Sequence, residues 1–239
     1  MNTQFLLSQE QLTSNIAHVH SAIAEAAQKA GRKPEDITLV AVSKTVPVQL
    51  VSMAYNLGVR NFGENRVQDA LVKIAEFHPQ EVRWHMIGHL QSNKAGKVIG
   101  PFYCVQSVDS LYLAQMLNRH AGEHGSRLPI LLQVNISGEA SKEGMSPVET
   151  PEVARQILAL PHLDVQGLMT IAPLVQNAEE VRPVFRGLRV LRDQLRDMMP
   201  QTAWQHLSMG MTDDYRIAIE EGATIVRVGR AIFGERVNK

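Results

Sequence analysis

Eight short apolar runs, each followed by a stretch of helical spacing, constrain this chain more than any other feature of its sequence. The runs fall at 37–43, 59–62, 82–88, 102–108, 129–137, 163–171, 203–210 and 224–229. Helical patterns occupy 47–57, 65–77, 93–99, 110–124, 147–160, 178–198 and 213–221, several of them closed by glycine or proline. The runs are mostly apolar rather than cleanly alternating, as parallel strands covered on both faces by crossover helices should be. Ahead of them, Leu12, Ile16, Val19, Ile23 and Ala26 recur at helical spacing behind a capping box of Ser8 and Gln11, and Gly31 closes that helix. A barrel of eight βα units takes ~250 residues, and the chain has 239. The expectation is a single-domain (β/α)8 TIM barrel over residues 1–239, with residues 1–31 forming an additional N-terminal helix. An open doubly wound sheet is the alternative that strand order alone leaves standing. Pro183, inside the longest helical pattern, predicts a late helix start or a kink.

Charge and cysteine content narrow the function classes. The 24 basic and 24 acidic residues cancel, so no global field favours nucleic acid or an anionic membrane, and an anion site must be local. A single cysteine, Cys104, excludes an internal disulfide and a cysteine metal cluster, which fits a reducing compartment. The N-terminal stretch carries no basic leader pattern and no run approaches a membrane span. A cytoplasmic monomer is expected.

In a barrel the chemistry sits where strands end and βα loops begin. The first strand, "ITLVAVS", ends at Lys44. Alternation puts Lys44 on the face of Val40 and Val42, and burial there would lower its pKa and make it a nucleophile toward carbonyls. A plain salt-bridged strand-end lysine is the other reading. Strand five offers Gln133, Asn135 and Ser137 on one face, suited to a ligand or to ordinary hydrogen bonding inside the lumen. After the last two strands, Ser208, Gly210 and Gly229 let backbone N–H groups approach an anion, and Arg227 shares its strand face with Gly229. A tight glycine turn is the bland account. His85 and His89 are four apart, but Gly88 breaks the helix that a metal pair would need, so no metal site is expected. Asp213 and Asp214 read as helix capping, and Cys104 as buried packing.

The stretches "AVSKT", "FGEN", "WHMIGHLQSNK", "SVDS", "VNISGEASKEG", "GLMTIAP", "LSMGMTDD" and "VRVGRAIFG" run in order from 41 to 234. They resemble the YggS/PROSC (PLPBP) family of pyridoxal-phosphate homeostasis proteins, whose barrel is similar to the N-terminal domain of alanine racemase. The resemblance implies that Lys44 forms a covalent aldimine with pyridoxal 5'-phosphate. It implies that Ser208 and the backbone of Gly229 and Arg230 hold the phosphate, that Arg227 faces the pyridine nitrogen, and that Asn65, His85 and Met169 lie near the ring. Arginine at 230 departs from the small hydroxyl residue common there, which spares the backbone N–H but not a side-chain contact. Threonine at 212 keeps the hydroxyl of the usual serine.

The resemblance also implies the protein class. A guanidinium at the ring nitrogen disfavours its protonation and weakens the electron sink, and the chain ends at Lys239, short of the second domain that two-base racemisation uses. The expected protein is a non-catalytic carrier or reservoir for the cofactor in vitamin B6 and amino-acid homeostasis, with pyridoxal-phosphate-dependent apoenzymes as the recipients of a direct transfer. The alternative is a Schiff-base enzyme: a weak racemase, a lyase or an aldolase. Lys142, on the loop after strand five, reads as a solvated lysine, with a part in cofactor exchange as its other reading.

Overall fold

The computed structural model describes residues 7–139 and 142–235. Eight parallel strands close a barrel in chain order: β1 (Thr38–Val42), β2 (Asn61–Glu64), β3 (Arg83–Met86), β4 (Cys104–Val108), β5 (Leu128–Gln133), β6 (Leu163–Met169), β7 (His206–Ser208) and β8 (Ile225–Val228). Thr38 opposite Ile225 and Val40 opposite Arg227 bring β8 back onto β1, so the sheet has no edge and the open-sheet alternative falls. The helices are α1 (Gln9–Lys29), α2 (Val48–Asn56), α3 (Val67–Glu76), α4 (Leu111–Glu123), α5 (Thr150–Leu158), α6 (Arg182–Met198), α7 (Tyr215–Glu220) and α8 (Arg230–Phe233).

Two apolar regions hold this together. The larger lies between barrel and helices and takes in Phe62, Trp84, Leu132, Leu168, Phe185 and Trp204. The smaller is a layer inside the lumen, Val40, Cys104, Leu131, Met169 and Ile225. Cys104 is thus packing, and burial raises its thiol pKa far above the ordinary value.

Local chemistry accounts for most boundaries. Ser8 and Gln11 form the reciprocal capping box that starts α1. Pro183 falls in the first turn of α6, behind a 3-10 turn at Ala178–Val181, so the late start is realised: a helix's first N–H groups are unpaired, and proline there removes nothing. The expected helix at 93–99 is instead a 3-10 segment, Ser92–Lys97. β5 stops at Gln133 rather than running to Ser137. Val134 makes an isolated bridge to Met145, and Asn135 turns the chain into a loop by accepting from Gly138 N and Ser137 Oγ. Asn135 and Ser137 therefore organise a loop and do not continue the lumen face, a correction whose cause is the competing side-chain-to-backbone bonding of asparagine.

The N-terminal helix is less of an addition than expected. α8 has only four residues, and α1 packs on α7, α8 and α2. It takes the place in the helical ring, between α7 and α2, that a full-length eighth helix would fill. Leu12 and Val19 are wholly buried there, Asn15 Nδ2 donates to Ile232 O at 3.0 Å, and Lys29 pairs with Glu220 at 2.7 Å.

Candidate functional site at the barrel mouth

A buried polar network crosses the lumen. Arg227, 3% exposed on β8, donates from Nη1 to Ser208 Oγ at 2.6 Å and from Nη2 to the Thr170 carbonyl at 2.8 Å. Ser208 Oγ–H donates to Gln106 Oε1 at 2.6 Å, and the Gln106 amide nitrogen lies 3.0 Å from His85 Nδ1. His85 Nε2 lies 3.0 Å from Asn61 Oδ1. An amide nitrogen can only donate, so His85 Nδ1 accepts and Nε2–H donates, which fixes the neutral tautomer. The electrostatics agree: burial, with further push from Arg83 and His206, lowers the His85 pKa to about 3. The chain of donors runs one way, from Arg227 through Ser208, Gln106 and His85 to Asn61, and ties β8, β7, β4, β3 and β2 across the lumen. Burial lowers the Arg227 pKa to about 10, partly offset by Asp214, so its guanidinium stays charged at neutral pH.

Above this network lies the seam of β1 and β8. A Cβ built at Gly229 would sit 3.3 Å from Val42 Cβ, and Lys44 follows Val42 by two residues, half-buried in a turn. Gly229 is also the N-cap of α8 and makes no side-chain cap, so the first N–H groups of that turn have no acceptor within the helix. Asn65, just past β2, is half-buried with Oδ1 enclosed and without a hydrogen-bond partner. Gly88 is required beside it, because a Cβ there would come within 2.4 Å of the Asn65 carbonyl oxygen. Met169 lies in the apolar layer.

The structure therefore brings Ser208, Arg227, His85 and Met169 together in the lumen and puts Lys44, Gly229 and Arg230 at the β1–β8 seam, with Asn65 at the rim beyond β2. The Ser208 hydroxyl is already shared between Arg227 and Gln106. The Arg230 guanidinium is ion-paired with Asp213 and, at 3.4 Å, with Glu235, so its side chain adds no unpaired charge to an anion site. Of the two expected capping residues, Asp213 makes that ion pair, while Asp214 Oδ1 accepts from Met211 N at 2.5 Å and burial raises its pKa. Lys142 is bonded to Glu139 at 2.9 Å and lines a cavity of about 230 Å³ with Gln133, His89 and Ile171. His85 and His89 are not partners. His89 stands at the rim, 3.2 Å from Asp109 and 4.0 Å from Glu143.

Sequence reasoning missed Asn61, Gln106, Thr170, Glu64 and Lys73. Gln106 had a signal: an amide inside a mostly apolar strand must find partners. Lys73 had none, because a lysine on an amphipathic helix looks solvated.

Residues 14–237 match the family profile described as alanine racemase, N-terminal domain. A pyridoxal phosphate homeostasis protein of Aquifex aeolicus is 42% identical over 221 residues, covering 92% of this chain and 96% of that protein. The chain belongs to the pyridoxal phosphate homeostasis protein family. Among solved structures, PipY of Synechococcus elongatus with PLP bound is 40% identical to this family member, with a TM-score of 0.80 over 89% of this chain and all of that one. An alanine racemase of Clostridium difficile is 16% identical with a TM-score of 0.75, covering 96% of this chain and 58% of the racemase, a likeness of fold.

Proposed function

We propose that this protein holds pyridoxal 5'-phosphate at the barrel mouth through the Lys44 amine and serves as a non-catalytic carrier or reservoir of the cofactor. The family relationship supports cofactor binding, and so does the PLP named with the related PipY structure. The residues fit the group. The uncapped start of α8 at Gly229 and Arg230 suits the phosphate, Lys44 the aldehyde, the enclosed and partnerless Asn65 oxygen a polar substituent of the ring, and Arg227 the ring nitrogen. Ser208 sets the Arg227 guanidinium and can reach the phosphate only by giving up Gln106.

Bound pyridoxal phosphate supplies an electron sink whose strength depends on protonation of its ring nitrogen. Arg227 favours the non-catalytic reading, although racemases that share an arginine at this place still work. It stays charged at neutral pH and its two bonds to Ser208 Oγ and Thr170 O lock it in place, so a proton on a facing nitrogen is disfavoured. The neutral His85, accepting at Nδ1 and donating at Nε2, spends both nitrogens within the lumen and offers none as a general base.

The test is the visible spectrum of purified protein incubated with pyridoxal phosphate, before and after borohydride, followed by peptide mapping. The expected result is one reduced label on Lys44, loss of the band in a folded Lys44→Ala variant, and no turnover across a panel of amino acids. Turnover of any amino acid abolished by Lys44→Ala would replace this reading with the enzyme alternative. No helix among the described residues is long and apolar enough to cross a membrane.

A further inference from the structure

The turn that carries Lys44 is held from outside the barrel. Ser43 O accepts from Val46 N at 2.9 Å, which closes a tight turn over Ser43, Lys44, Thr45 and Val46. Thr45, third in that turn, has φ 65, the left-handed conformation that glycine favours and a β-branched residue resists. Such a conformation persists only where neighbouring bonds impose it. Here they are visible. Lys73 on α3 donates from Nζ to Ser43 O at 2.5 Å and to Glu64 Oε1 at 2.7 Å, and Ser43 Oγ donates to the same Glu64 oxygen at 2.6 Å. Ser43 N donates to Gly63 O at 3.0 Å, which ties the end of β1 to β2.

This cluster is costly where it stands. Glu64 is 1% exposed and the Lys73 side chain 12%, and Glu64 Oε2 is buried with no hydrogen-bond partner. Replacing a buried ion pair by apolar side chains of similar volume is often neutral or stabilising. What this pair visibly orients is the backbone beneath Lys44. The Lys73 ammonium fixes the carbonyl of the Ser43–Lys44 peptide, and Glu64 holds both Lys73 and the Ser43 hydroxyl.

We propose that Lys73 and Glu64 are positioning residues that set the Lys44 amine for the cofactor's aldehyde from the outer face of the barrel. This rests on the reading that Lys44 holds pyridoxal phosphate. Lys73 lies on α3, and its ammonium bonds Ser43 O and Glu64 Oε1. It acts by fixing the peptide plane from which Lys44 starts, and small misplacements of a reacting group are expensive.

The experiment compares wild type with Lys73→Met, Lys73→Arg and the double variant Glu64→Gln/Lys73→Met, which leaves no lone buried charge. Each is measured for circular dichroism, melting temperature without cofactor, pyridoxal phosphate affinity by titration of the visible band, and borohydride label at Lys44. Expected are an affinity loss of about tenfold or more in Lys73→Met and in the folded double variant, and substantial recovery in Lys73→Arg, which keeps charge and donors. If the double variant melts like wild type and binds pyridoxal phosphate as tightly, the positioning role is overturned. If Lys73→Met does not fold, the double variant decides. Wild type that takes no label at Lys44 instead overturns the cofactor reading itself, a result the variants cannot mimic.

Discussion

His85 shows how one residue's environment becomes a pH dependence. Its pKa falls from the ordinary value of 6.5 to about 3, because burial penalises the charged ring, with Arg83 and His206 adding to the effect. The unfolded chain therefore binds the proton more readily than the folded one, so stability is complete above about pH 6.5 and declines as pH drops toward 3. Each unit of separation is worth about 1.4 kcal/mol, so the decline amounts to a few kcal/mol. Urea titrations at pH 7 and pH 4.5 should show it, and His85→Gln should flatten the difference between them. Ser208 offers a second residue-scale expectation. Ser208→Ala removes the acceptor of Arg227 Nη1 and the donor to Gln106 Oε1, both buried. The cost should be about 1–3 kcal/mol by denaturant unfolding, accompanied by weaker pyridoxal phosphate binding, since Arg227 loses one of its two restraints.

At the scale of elements, α6 is fastened to α7 by charge. Glu221, 5% exposed at the end of α7, lies 3.2 Å from Arg182, 3.0 Å from Arg186 and 3.0 Å from Arg189. Burial alone would raise its pKa, but hydrogen bonds from Arg186, Arg182 and Arg189 outweigh that and hold it below the usual carboxylate range. The sign is that of a depressed acid: its contribution is present above the unfolded pKa and lost as pH falls through the folded one. Two of the arginines are well exposed, so Glu221→Gln should cost only about 1–2 kcal/mol at neutral pH and less in high salt, read from melting temperatures at two ionic strengths. Elements were also where the sequence was most legible. Strand-helix alternation survives local ambiguity because each βα unit repeats it, and Pro183 could be placed because proline has few options in a helix. The end of β5 could not be read, since Asn135 fits a strand pattern until its loop partners Gly138, Glu139 and Lys142 are known. In the candidate site, the sequence put Lys44, Ser208 and Arg227 at or just past strand ends, and the structure has them there. The links that orient them were not legible: Gln106, Thr170, Glu64 and Lys73 act through partners as much as 102 residues away in sequence, Gln106 to Ser208 being the longest, and no local pattern encodes a partner.

For the whole molecule, the first helix and the last strand close the same gap. A barrel closed by β8 on β1 needs cover outside that seam, and α8 is too short to give it. α1 provides it from the other end of the chain, against α7, α8 and α2, with Leu12, Val19 and Ala27 wholly buried and Arg32 Nη1 donating to Ala223 O at 2.7 Å. The seam it covers is also the one where Gly229 meets Val42, next to Lys44. Loosening α1 should therefore be felt in cofactor binding as well as in stability, although no residue of α1 belongs to the site. Leu12→Ala should cost about 2–5 kcal/mol, a large share of the total stability of a domain. Because pyridoxal phosphate would bind only the closed seam, saturating cofactor should recover part of that loss by mass action. The discriminating measurement is the melting temperature of Leu12→Ala with and without pyridoxal phosphate, beside the equally buried Leu117→Ala on α4. If α1 acts only as ballast, the cofactor raises both melting temperatures alike and both variants keep wild-type affinity. If it closes the seam, Leu12→Ala alone binds more weakly.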